Sequence, residues 1–107
     1  GSDPQRAADR LDKILEKLDD ILKKLKDILE TLSKDDVKDR RAKDLVEKFR
    51  ELVDTHHKLV ERYRELVYTA TAGSDLAREL IRRVEEHTKR LRHILKRLRE
   101  HEEKLRR

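Results

Sequence analysis

Apolar residues return along this chain at seven-residue intervals, in three separate runs. In the first run Leu11, Leu18, Leu25 and Leu32 form a centre row. Ile14, Ile21 and Ile28 flank it on one side, and Leu15, Leu22 and Leu29 on the other. In the second run the centre row is Ala42, Phe49, His56, Tyr63 and Ala70, flanked by Leu45, Leu52, Leu59 and Leu66 and by Val46, Val53, Val60 and Val67. The third has Ala77, Val84, Leu91, Leu98 and Leu105 at its centre, with Leu80, His87, Ile94 and His101 on one flank and Ile81, Thr88, Leu95 and Glu102 on the other. A sustained heptad is the period of left-handed helical supercoiling. Three apolar rows make a face wider than a two-stranded seam uses.

The punctuation between runs predicts three helices, over about 3–32, 34–72 and 75–106. Asp3 suits an N-cap and Pro4 a first turn, where a missing N–H is harmless. Ser33 followed by Asp36 fits a capping box that would open the second helix. Gly73 supplies a left-handed stop, and Ser74 or Asp75 a cap for the third. Connections of two to four residues force antiparallel neighbours. The expected fold is all-α: an up-down-up antiparallel three-helix bundle, a rod about 45–55 Å long at 1.5 Å per residue. Gly1 and Ser2 read as a tag-cleavage scar, with residues 3–107 as one helical-bundle domain.

Composition changes this picture little. Charged residues make up 50% of the 107 and apolar residues 35%, yet the strict periodicity speaks against disorder. No run approaches the ~18 apolar residues of a membrane span, and no signal peptide is visible. The net charge of +5 is uneven. Residues 75–107 carry 12 basic and 7 acidic side chains, and the rest of the chain nearly balances. Interleaved Arg, Lys and Glu describe a solvated helix face, not the clustered patch of a specific nucleic-acid reader.

The chain resembles computationally designed (de novo) helical bundles with buried hydrogen-bond networks. The resemblance rests on identical residues repeated down heptad rows, a short "TAGSD" loop, a leading Gly-Ser, and the absence of Asn, Cys, Met and Trp. It covers the whole chain. It implies a structural or interaction role in which the network sets oligomer state or partner choice. It also implies a possible place as subunit of a designed oligomer or of a split four-helix-bundle heterodimer.

The residues that break the apolar rows are the candidate site. About a hairpin at Gly73 and Ser74, Tyr63 faces Val84, His56 faces Leu91, Phe49 faces Leu98, and Leu59 and Val60 face His87 and Thr88. His56, Tyr63, His87 and Thr88 then lie in successive layers roughly 5 Å apart. His101 and Glu102 form a second polar layer beside Leu45 and Val46. The first helix brings either Leu11 or Ile14 and Leu15 beside His56, and no polar partner. A lone core histidine is usually a satisfied structural one. Four polar residues in three layers read as a set that restricts packing or partners.

Metal and catalytic readings fit less well. No two histidines have the i, i+3 or i, i+4 spacing of helical metal ligands. His56 and His57 point about 100° apart, and His87 and His101 lie about 21 Å apart. His57 and Glu61 suit a surface pair, and His93 the solvent side. There is no cysteine and no glycine-rich phosphate loop. The expectation is therefore no catalytic, metal or cofactor site, no enzyme activity and no small-molecule substrate. A helical partner or self-association is expected, with no specific nucleic acid and no membrane. The alternatives are a self-contained monomeric scaffold and a bundle that responds to pH through buried histidines.

Overall fold

The computed structural model describes residues 4–34, 36–71 and 74–106. Three helices follow one another: α1 (Pro4–Leu32), α2 (Asp39–Thr71) and α3 (Asp75–Arg106). They pack pairwise as an up-down-up bundle measuring 55 × 20 × 15 Å. Their interiors contain no glycine or proline, and Leu, Lys, Glu and Arg, all good helix formers, dominate them. The Asp3 cap, the Gly73 stop and the Gly1–Ser2 scar lie outside the described residues.

The heptad rows become the core. Leu11, Leu18, Leu25 and Leu32 are all buried, as are Ala77, Val84, Leu91 and Leu98. Each such leucine contributes about 1.5–3 kcal/mol through its removal from water. The centre rows fail only at the bundle's ends. Ala70 is exposed, and Leu105 is 71% exposed.

The core is divided in two. One cluster joins Ile21, Leu22, Leu25 and Leu29 of α1 to Phe49 of α2 and Leu91, Ile94 and Leu98 of α3. The other joins Leu11, Ile14 and Leu18 to Val60, Tyr63 and Val67 and to Ala77 and Val84. Tyr63 and Val84 thus share one cluster, and Phe49 and Leu98 the other, as the hairpin register expects.

The first connection departs from expectation. Ser33 does not open α2. Its hydroxyl donates to the Leu29 carbonyl at 2.8 Å, and its N–H donates to the same carbonyl at 3.0 Å. It thus satisfies a carbonyl that the end of α1 would leave bare. The connection is Ser33–Lys38, still short enough for antiparallel neighbours. The helix begins at Asp39, whose carboxylate suits the positive end of a helix. The first hydrogen bond into it runs from the Ala42 N–H to the Lys38 carbonyl at 2.9 Å.

Leu11, Ile14 and Leu15 sit in one cluster with Tyr63 and Val67. The α1 turn at the level of the histidines is the one after Leu18, which carries Asp19.

Candidate functional site

His56 on α2 and His87 on α3 lie at the seam between the two apolar clusters. They are the only buried polar or charged residues among those described, His56 completely so. Helix period explains the placement. Each occupies a row position that is apolar one heptad earlier and later: Phe49 before His56, and Leu80 and Ile94 around His87. Tyr63, one heptad past His56, is also fully buried, inside the second cluster.

These side chains are buried without bonding. Both ring nitrogens of His56, the Tyr63 hydroxyl and Nδ1 of His87 are buried and have no hydrogen-bond partner. Thr88, half-buried, donates instead to the Val84 carbonyl of its own helix at 3.3 Å. The set expected in three layers does not form a hydrogen-bonded chain. A layer step of roughly 5 Å exceeds the ~3 Å reach of a hydrogen bond unless side chains tilt toward one another.

Asp19 is the polar partner on α1 that sequence reasoning missed. Its Oδ1 lies 3.5 Å from His87 Nδ1, at ion-pair distance but without the alignment of a hydrogen bond. The same oxygen accepts from Arg90 Nη1 at 3.2 Å. The signal was in the sequence. Asp12 and Asp19 recur at seven residues beside the α1 stripe, as Arg83 and Arg90 do on α3.

Electrostatics hold the site neutral. Burial, then the charge of His87 and of His57, lowers the His56 pKa from 6.5 to about 4. Burial also lowers that of His87, with Asp19 and Glu86 opposing and Arg90 assisting. Burial raises that of Tyr63, against Arg83 and with Asp12. At pH 7 the two imidazoles and the Tyr63 phenol are uncharged polar groups in a hydrocarbon rod, beside the Asp19–Arg90 ion pair. No substrate reaches His56 or Tyr63 in this packing, since neither exposes surface. Among the described residues no three His, Asp or Glu side chains are grouped to hold a metal ion.

The second expected layer stands apart. His101 and Glu102 are half-buried and line an open groove with Leu32, Ala42 and Val46 near the start of α2. His57 and His93 are exposed. Glu61 lies 3.8 Å from Arg64, and the described ion pairs do not include the expected one with His57.

An unpartnered buried polar group costs about 1–3 kcal/mol. His56→Leu is therefore expected to raise stability at pH 7 by about 2 kcal/mol, read as a higher urea midpoint at unchanged slope. A loss of similar size would mean that the imidazole makes a stabilising contact. No protein-family model matches the chain, and no curated protein and no solved structure shows significant similarity to it.

Proposed function

We propose that this chain is a helical association module, in the manner of designed bundles whose buried polar residues restrict what they pack with. The observation that carries this reading is the set of four unpartnered polar atoms on His56, Tyr63 and His87 in the middle of an apolar rod. Such atoms destabilise the isolated three-helix packing. They favour an arrangement in which another helix supplies partners, and they penalise slipped registers that bury them against hydrocarbon. The half-buried flank rows of α2 and α3 give such a helix an apolar seat. In this reading the role is structural, with no turnover and no bound cofactor.

One observation favours the second reading, a monomeric scaffold. Leu18, Leu22, Leu25, Phe49, Val67 and Val84 are already fully buried within one chain. Light scattering behind a sizing column, at two concentrations tenfold apart, separates the two. Association predicts either a multiple of 12.9 kDa, or a 12.9 kDa particle that takes up a cognate helix. A 12.9 kDa particle that takes up no amphipathic helix is a scaffold.

A further inference from the structure

The groove between α2 and α3 is the open side of the bundle. Val46 and Val53 on α2, and Ile81, Thr88 and Leu95 on α3, are all half-buried along it. The corresponding rows of α1 are closed, with Ile14, Ile21 and Ile28 buried. The α1–α2 side therefore has one finished wall. The α2–α3 side has none that is finished along its length.

Charge separates this groove from the contact on the other side of α3. One more heptad row runs along each of its lips. On α2 that row holds Lys43, Arg50 and Arg64, and on α3 it holds Arg78, Arg92 and Arg99. Lys43 and Arg50 border the groove beside Val46, and Arg78 borders it beside Ile81. His57, Thr71 and Glu85 are the other described positions of these rows, and the acidic Asp39, Glu47 and Glu102 also line the groove at its end near the start of α2. Arg64 reaches Glu61 at 3.8 Å. The other five basic residues have no carboxylate within ion-pair distance among the described residues. Where α1 meets α3, by contrast, an acidic row faces a basic one: Asp12 and Asp19 run opposite Arg83 and Arg90, and Asp19 pairs with Arg90 at 3.2 Å. The chain thus joins one pair of its own helices by acid against base, and leaves one apolar groove whose lip rows are mostly basic, with acid confined to Glu85 and to the end near the start of α2.

We propose that the α2–α3 groove takes a single amphipathic helix from another protein, whose apolar stripe is bordered on both sides by glutamate or aspartate. The inference rests on the association reading and names its partner. A second copy is the wrong occupant, because a symmetric pairing through this groove sets the same basic rows against each other. Its own apolar stripes are already committed within its bundle.

Synthetic helical peptides of about four heptads test this against the full chain by fluorescence anisotropy. Three share one length: a Leu/Ile stripe bordered by Glu, the same stripe bordered by Lys, and a Glu-rich scramble with no stripe. The Glu-bordered stripe is expected to bind at least about tenfold more tightly than the Lys-bordered one. The gap should narrow in about 0.5 M salt, where exposed charges are screened. Reversing the lips with Arg50→Glu, Arg92→Glu and Arg99→Glu should invert the preference. Lys17→Glu and Lys24→Glu, exposed on the α1–α2 side, should leave it unchanged.

Equal binding of both stripes overturns the acidic-border inference while leaving the association reading intact. Equal binding of the scramble, or of a DNA duplex, shows that charge alone is recognised and removes the groove. A self-assembled particle that the lip reversals dissolve puts a second copy in the groove and overturns the inference. A 12.9 kDa particle that binds neither stripe removes both readings.

Discussion

Lowering the pH from 7.5 to 4 is expected to cost the fold on the order of 3 kcal/mol through His56 alone. The imidazole has a folded pKa of about 4, against roughly 6.5 in an unfolded chain. Above pH 6.5 both states are neutral and the group contributes no pH dependence. As pH falls from 6.5 toward 4, the unfolded chain takes up a proton that the folded one refuses, so stability drops. Below about 4 both states are protonated and the slope ends. His87 acts in the same direction, its burial outweighing the charges of Asp19 and Glu86. The other groups that bear on the pair are His57, exposed on α2, and Arg90 on α3. Urea midpoints at pH 7.5, 6, 5 and 4 measure the effect, and His56→Leu should remove most of the slope between 6 and 4. A flat profile in the parent protein would falsify the buried, neutral assignment.

Phe49→Ala is expected to lower stability by about 3–5 kcal/mol, a large share of the total for a domain of this size. Phe49 is fully buried, in the cluster with Leu25, Leu91 and Leu98. Its removal leaves a cavity that a rigid helical frame cannot close. Leu52, half-buried on the flank of the same helix, should cost less when truncated, because water already touches it. Thermal or urea unfolding of the two variants side by side reads the difference. Equal losses would place the flank row as deep as the centre row, and would remove the apolar seat proposed for a partner. The contrast with His56 is instructive. Both residues stand in one row, seven apart and equally buried, yet truncating one removes packing and replacing the other removes unpartnered nitrogens.

Much of the fold is legible in the spacing of leucines. Ends and offsets are not. Ser33 has the right neighbours for a capping box, but a serine hydroxyl serves the carbonyl at a helix end equally well, and here it bonds to Leu29. Nor did the spacing show that Asp19 of α1 comes to the level of His87. His56, His87 and Tyr63 stand out in the sequence because they interrupt apolar rows. Whether their atoms meet depends on side-chain directions that no spacing rule contains.

The sequence by itself determined three helices, their antiparallel order, the rows that face inward and the two histidines that interrupt them. A heptad pattern specifies faces because side chains seven residues apart lie on one stripe of a helix. The same pattern looks unchanged after a shift of seven residues, so it cannot specify offset. Nor can it rank equal flanks. The Ile14–Ile21–Ile28 row and the Leu45–Leu52–Leu59–Leu66 row are alike in spacing, yet the first is buried and the second half-exposed. Only the tertiary structure decided that, because burial depends on which helices stand beside a stripe and how closely they approach.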